Sequence, residues 1–411
     1  MSAQLGNSDF IPLIFAADIN VYSLSRAFHE QYGITAAGFG IAAAGPINHT
    51  KIINYQSVER ADQPDVLSKL VTDFANSHPD QRILLFGCGD NYVRSIANSK
   101  PLFPENVIAP YMNYDALYRL ANKQSFYQIC DKYGILHPKT FIFVEKTGGL
   151  LDLQFEAPYI VKPANGVAWW ENPFEGQRKV HLVHSYDELK TLLSTIYAHG
   201  YDHEMIVQEY IGGGDSNLLV MTQYFDSSGV LRMSCSGRVL LEEHTAYGIG
   251  NSAVIMSEDH LELAEQLAGL LQGEGFTGFA CFDIKYDTRD DQYKVLEVNT
   301  RQGRGHYYVT GSGLNVARFI TEDLVYGRVV EPEFSVRQQF LWHVTPRSVV
   351  RQVGIDAGLA EQVEYLLDNN QSGNPLDYPA DRSVQRSLWL ARYMRQQEQR
   401  YIEYRQGGFK F

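Results

Sequence analysis

The sequence predicts a mixed fold, in which an α/β domain on a parallel sheet precedes an α+β domain on antiparallel strands. Two observations predict it. Over the first 115 residues short apolar runs alternate with helical patterns, the signature of βαβ units around a parallel sheet. From Ser216 to Asn299 strands follow one another through turns, with one helix from His260 to Gln272, which suggests an antiparallel sheet.

The first domain reads as Phe10 to Ala16, Val21 to Tyr32, Ile34 to Phe39, Val66 to Ser77 and Ile83 to Phe86, strand and helix in turn. Two of its strands run into polar residues, Asp18 and Asn20 after the first, and Gly87, Gly89 and Asp90 after the last. In open α/β sheets that carboxyl edge is where ligands bind. Gly38-Phe-Gly40-Ile-Ala-Ala43 matches a loose dinucleotide fingerprint, but Pro46 stands where its helix should run, so a strand and loop is the better reading. A P-loop is excluded by inspection.

Further on, Asn122 caps a helix that Gly134 stops, with Phe126, Ile129 and Cys130 on one face. Tyr159 to Lys162 is a short strand, cut off by Pro163 and followed by the loop Ala164 to Gly176, whose length suits a lid. A helix from Ser185 to Gly200, a strand from Met205 to Gln208 and a turn at Gly212 to Asp215 complete the middle region. After about residue 330 the pattern weakens, until Arg386 to Arg405, with five Arg against two Glu, reads as a docked basic helix carrying Trp389, Tyr393, Tyr401 and Tyr404.

Composition narrows the function. The 411 residues suffice for two to four domains. A formal charge of −13 argues against general affinity for nucleic acid or anionic lipid, so any anion site is local. Cys88, Cys130, Cys235 and Cys281 are far apart and form no Cys-x-x-Cys pair, which fits a reducing cytoplasm better than a disulfide framework or zinc knuckle. The run Phe10 to Ala17 contains Pro12 and leads straight to Asp18, unlike a signal peptide, and the uncharged stretch Gln31 to Thr50 is too broken by glycine to span a bilayer.

The chemistry concentrates in one hairpin. Ala280 to Tyr286 and Tyr293 to Asn299 are joined by the polar turn Asp287 to Gln292, and a centre near Asp290 sets Asp283 opposite Glu297. Side-chain alternation then gives Phe282, Ile284, Leu296 and Val298 to a core face, and Asp283, Lys285, Glu297 and Asn299 to the other. Two carboxylates opposed at about 5 Å between Cα atoms repel, and a cation between them reverses the sign. Hard oxygen ligands without His or Cys select Mg²⁺ or Mn²⁺ over zinc. The plainer reading is a solvated acidic face, but Arg301, Gly303, Arg304, Gly305 and His306 follow at once, and acids beside arginines suggest a metal–phosphate site. Lys123, at a helix start, and Lys162, at the end of an apolar run, suit the same phosphates.

Taken together, Lys123 with Phe126, Gly134-Ile135, Pro138, Lys162-Pro163, Gln208-Glu209-Tyr210-Ile211 with Asp215, Asp283, and Glu297-x-Asn299-x-Arg301 resemble the ATP-grasp ligases over residues 10 to about 325. The resemblance implies an N-terminal Rossmann-like α/β domain at 1–115, an ATP-grasp lid at 116–215, a catalytic α+β part at 216–330, and a C-terminal extension at 331–411. It makes Lys123 and Lys162 phosphate ligands and sets adenine against Gln208, Glu209, Tyr210 and Ile211. Asp215 would hold the ribose, Asp283, Glu297 and Asn299 two magnesium ions, and Arg301 the transferring phosphate. In a ligase mechanism of this kind Arg304, three residues on, is expected to stabilise the oxyanion as the amine attacks. Asp stands at 215 and 283 where many members have Glu.

A narrower likeness, carried by Ala17-Asp18-Ile19-Asn20-Val21-Tyr22, Gly87-Cys88-Gly89-Asp90, Met205-Ile206-Val207-Gln208, Asp215-Ser216-Asn217, Phe282 to Asp287 and Arg301-Gln302-Gly303-Arg304, is to the ligases that attach D-aspartate to the lysine side-chain amine of a peptidoglycan precursor. It implies substrate contacts from Asp18, Asn20 and Asp90. The second carboxylate of that amino acid needs its own cation, for which Arg238, Arg301, Arg304 and His306 are available. Rival readings are a ligase for another amino acid, a carbamoyl-phosphate-like synthetase, or a nucleotide-sensing module without turnover. Each predicts a different response to amino acids, bicarbonate and ATP.

Overall fold

The computed structural model describes residues 8–43, 45–144, 152–164, 166–243, 250–353 and 355–407. Its strands form three sheets of five, four and seven strands.

The first is parallel and contains β1 (Phe10–Phe15), β2 (Ala36–Gly40), β3 (Ile53–Ser57), β4 (Arg82–Gly87) and β5 (Val107–Ile108), in the order β3-β2-β1-β4-β5. Helices α1 (Ile19–Tyr32), α2 (Pro64–Asn76) and α3 (Asp90–Ser99) connect them, and α4 (Tyr114–Ala121) follows. β1 is fully buried because helices cover both faces of the sheet, which explains its unbroken apolar run. The Gly38 and Gly40 pair lies within β2, where a Cβ on Gly40 would meet the Tyr55 hydroxyl at 2.2 Å. The glycines admit a crossing side chain, and no long helix follows to receive a pyrophosphate.

α5 (Lys123–Tyr133) begins at Asn122, whose side chain accepts from the Ser125 N–H, and ends at Gly134 in the left-handed conformation, φ 68°. The second sheet, order β6-β9-β7-β8, is built from β6 (Thr140–Phe143), β7 (Tyr159–Pro163), β8 (His181–Val183) and β9 (Met205–Glu209), with α7 (Tyr186–Ala198) packed on it. The stretch read as an open lid loop differs from expectation: it carries α6 (Gly166–Glu171), and Trp169 is only 1% exposed in the core of this small layer. A large indole gains more by burial there than by standing over a cleft. Asn165 of that loop lies outside the described residues.

The third sheet, order β14-β13-β10-β11-β12-β15-β16, contains β10 (Leu218–Phe225), β11 (Leu231–Glu242), β12 (Ser252–Glu258), β13 (Gly278–Asp287), β14 (Gln292–Asn299), β15 (Leu341–His343) and β16 (Ser372–Gly373). α8 (Leu261–Gly273) and α5 cover one face through a core that includes Phe126, Leu267, Phe282, Ile284 and Val298. The remaining helices are α9 (Tyr307–Gly311), α10 (Val316–Leu324), α11 (Arg347–Val350), α12 (Ala357–Asp368) and α13 (Val384–Gly407). A second core joins α1 to α9 and α10, so the parallel-sheet layer is packed directly onto the third sheet's other elements. Asn315 donates to the Ala27 carbonyl, and Asn20 to that of Gln302, across this junction.

Among the described residues no helix is long and apolar enough to cross a membrane.

Candidate active site

Asp283 and Glu297 face each other across the β13–β14 ladder, as the hairpin symmetry requires, and Cys281 faces Asn299. The register then slips by one: Ile284 pairs with Val295, so Leu296 is a bulge residue. Leu296 therefore leaves the core face it was expected to fill and is half-buried, while Val295 is fully buried in its place. The bulge is held from outside. The Tyr127 hydroxyl donates to the Leu296 carbonyl at 2.7 Å and accepts from Gln208 Nε2 at 2.9 Å, and the Val295 N–H donates to the Leu136 carbonyl. Tyr127 was not singled out from the sequence, although its place four residues after Lys123, one turn along the same helix, was a signal.

α5 crosses the edge strand β14, so Lys123 at its first position reaches around the edge and its ammonium binds Glu297 directly. Asn299 Nδ2 donates to Asp283 at 3.1 Å. The two acids thus differ. Lys123 holds Glu297 well below the usual carboxylate range, whereas burial first, and the Glu297 charge second, push Asp283 up to about 8. Lys162 approaches from the opposite layer on β7. Burial, reinforced by Lys123 and opposed by Glu297 and Asp283, lowers it to about 7, and its ammonium makes no hydrogen bond or ion pair among the described residues. A cation brought that far out of water beside another cation calls for an added anion.

Arg301 lies on the same side. Its Nε is 2.7 Å from Asp90, at the start of α3, and its other nitrogens donate to Asn299 Oδ1 and to the Gln302 carbonyl. Burial works against its charge, and Asp90 more than restores it. Arg304 pairs with Glu243 at 2.8 Å and donates to the Ser252 carbonyl. Asp18 caps α1 within range of both arginines; burial raises its carboxyl against their pull.

The linker separates into two roles. Gln208 lies between β6 and β7 in the ladder, and Glu209 is 9% exposed, accepting from the Lys139 N–H and pairing with Arg289. Arg289, Asp287 and Lys294 form a network that ties this strand end to the β13–β14 turn. Tyr210 and Ile211 follow the strand end, Ile211 buried and the Tyr210 ring centroid 5.9 Å from the Lys285 ammonium. Asp215 accepts from the Glu242 N–H at 2.8 Å, and Lys285 is within electrostatic range of both acids.

Three sequence candidates are not brought to this place. Arg238 pairs in register with Leu219, which in turn pairs with Ile284, so all three share the core face of the sheet, opposite to Asp283. There Arg238 binds Glu258 at 3.0 Å, which also engages His260. His306 is fully buried and burial lowers it to about 4, so it is neutral at pH 7 and cannot supply a cation. Asn20 is likewise 1% exposed and serves the interlayer junction.

Asp283, Glu297 and Asn299 offer three hard oxygen donors on one face. Among the described residues no group of three or more His, Cys, Asp or Glu is gathered to cage a metal. Two carboxylates and an amide fit an ion of the Mg²⁺ kind, which completes its shell with phosphate oxygens and water.

No protein-family profile matches the chain. The D-aspartate ligase of Enterococcus faecium (strain Aus0004) is 36% identical over 405 residues, covering 96% of this chain and 96% of that protein. Among solved structures, the fold is similar to that of an N5-carboxyaminoimidazole synthetase from Staphylococcus aureus complexed with ADP, with TM-score 0.59, 13% identity, and 83% of this chain and 84% of that one covered. An L-amino acid ligase from Bacillus licheniformis superposes with TM-score 0.56 at 16% identity, over 78% of this chain and 75% of that one. A biotin carboxylase domain from Hydrogenobacter thermophilus, solved with MgADP and bicarbonate, gives TM-score 0.60 at 11% identity, over 82% and 74%. With near-complete coverage by the first relative and the ATP-grasp architecture around the acidic hairpin, the chain belongs to the D-aspartate ligase family, ATP-dependent ligases that form C–N bonds.

Proposed function

We propose that this protein joins the β-carboxylate of D-aspartate to the lysine side-chain amine of a peptidoglycan precursor, using ATP and two Mg²⁺ ions. The observation that carries the reading is Lys162, a desolvated ammonium with no direct ion pair among the described residues, set within electrostatic range of Lys123, Glu297 and Asp283, whose carboxylates suit a metal. Phosphate groups complete that charge pattern.

An amide does not form from a carboxylate and an amine in water at neutral pH without activation. The carboxylate oxygen attacks the γ-phosphorus in line, ADP departs, and an acyl phosphate forms. The amine then attacks the acyl carbon, the C–O bond to phosphate breaks, and the nitrogen loses its proton as the amide is made. Asp283, Glu297 and Asn299 would hold Mg²⁺, which would offset the negative charge of the nucleotide's phosphates. Lys123 and Lys162 bind the same oxygens, with adenine against Tyr210 and Ile211 and the ribose beside Asp215. Arg301, carried on the loop from Asn299, meets the transferring phosphate after exchanging Asp90 for it. Arg304 stabilises the oxyanion formed as the amine attacks. Asp18, capping α1 beside both arginines, faces the amino acid's ammonium group.

The relative's name supports the choice of D-aspartate. The four buried free cysteines support a reducing cytoplasm as the site of action. ATP consumption with a panel of amino acids and a lysine-containing muropeptide tests the reading, together with the product mass. A response confined to D-aspartate, with a product heavier by one aspartyl residue, is expected. An equal response to other amino acids, or stimulation by bicarbonate alone, overturns it.

A further inference from the structure

The basic helix that ends the described chain is not used in the chemistry above, yet it is fixed in place at some cost. Arg386 is 3% exposed; its Nε lies 2.8 Å from Asp381, which is fully buried. The guanidinium also donates to the carbonyls of Pro46 and Asn48 and sits 4.4 Å from the Tyr22 ring centroid. Asp381 in turn accepts from the Tyr22 hydroxyl, the Thr50 hydroxyl and the Lys51 N–H. A buried pair of this kind adds little net stability, since desolvation offsets its attraction. Its effect is geometric: α13 is locked to the parallel-sheet layer.

The lock packs Trp389 and Tyr393 of α13 against the core that joins the layers, in the neighbourhood of Asp18 and Arg304. Trp389 and Tyr393 stack at 5.1 Å, and a Cβ on Gly45 would lie 3.1 Å from the Trp389 ring. Tyr393 is within electrostatic range of Arg304, Glu243, Asp18 and Arg400. Spacings of three, four and seven residues place Arg392, Tyr393 and Arg400 along the side that Trp389 marks. Arg392 and Arg400 are exposed and make no ion pair among the described residues. In a chain of net charge −13, two exposed guanidinium groups on a fixed helix, with Arg400 near the Tyr393 that neighbours Arg304, are suited to an anionic ligand.

We propose that α13 is the acceptor-recognition element, with Arg392 and Arg400 binding carboxylate or phosphate groups of the acceptor while its amine extends toward Arg304. The proposal rests on the ligase reading, in which the amine belongs to a large anionic molecule.

Steady-state kinetics of the full-length double variant Arg392→Ala/Arg400→Ala test it. The KM for a nucleotide-linked muramoyl-peptide acceptor should rise about tenfold while the KM values for ATP and D-aspartate stay within about twofold. Arg328→Ala, which removes an exposed arginine following α10, should leave the acceptor KM as it is. Repeating the measurement with the same muropeptide lacking the nucleotide diphosphate separates the two anion sources. A rise with both acceptors assigns the arginines to peptide carboxylates, and a rise with the first alone assigns them to the diphosphate. An unchanged acceptor KM in the double variant, with the wild type active, overturns this inference and leaves the ligase reading intact. A wild type that does not turn over any amine acceptor overturns both.

Discussion

The unequal acids of the β13–β14 hairpin give a proton signature that can be measured before any turnover. Asp283, pushed up to about 8 by burial and by Glu297, is mostly protonated at pH 7 in the metal-free protein, and Lys162, lowered to about 7, is partly protonated. A nucleotide's phosphates favour the charged form of Lys162, so ADP binding should take up a fraction of a proton at pH 7. Mg²⁺ favours the charged form of Asp283, so metal added to the ADP-bound protein should then release most of a proton. The two steps have opposite signs. At pH 9 the release should fall to a small fraction, and apparent Mg²⁺ affinity should climb about tenfold per pH unit below about pH 8 and level off above it. Calorimetry in buffers of different ionisation enthalpy, corrected by titrations of Mg²⁺ into ADP alone, reads both steps. Asp283→Asn should abolish the release. Mg²⁺ binding at pH 7 without proton release, or with a release that persists in Asp283→Asn, would refute the assignment of Asp283 as a metal ligand.

Three further outcomes follow from the same geometry. Glu297→Gln should lose activity about a hundredfold or more while its circular dichroism shows the fold retained, with some loss of melting temperature because Lys123 loses its counter-charge; equal turnover removes the metal assignment. Asp381→Asn leaves Arg386 buried beside Tyr22 without its counter-charge and should cost about 3–5 kcal/mol in urea unfolding, and a loss below about 1 kcal/mol contradicts the lock described for α13. Tyr127→Phe strands the Leu296 carbonyl and should cost about 1–2 kcal/mol with a raised KM for ATP, since the bulge and the Gln208 strand lose their shared hydroxyl; wild-type values for both would show that the bulge holds itself.

The features legible in the sequence were those set by neighbours along the chain. The hairpin turn is short, so counting from Asp290 was enough to oppose Asp283 and Glu297, and the structure pairs them. The capped helix from Lys123 to Tyr133 and the parallel-sheet alternation were legible for the same reason: caps, stops and periodicity are local. The bulge at Leu296 was not, because it is maintained by Tyr127, from a helix far away in sequence.

What tertiary structure alone decided was which side of a layer each charge faces. Arg238 belongs to a long strand whose face is fixed by register with β10, and no turn ties that register to the residue types of β11 itself, so an arginine suited to a carboxylate lies behind the sheet. His306 has the right chemistry and is sealed between layers, where burial keeps it neutral. Lys123 and Lys162 come from different layers, and only their packing reveals that one is satisfied by Glu297 while the other waits for an anion. Composition and spacing thus determined the kinds of groups present and their local pairing. Burial, which sets the charge each group carries and the partner it still lacks, depends on contacts between distant segments and was decided by the fold.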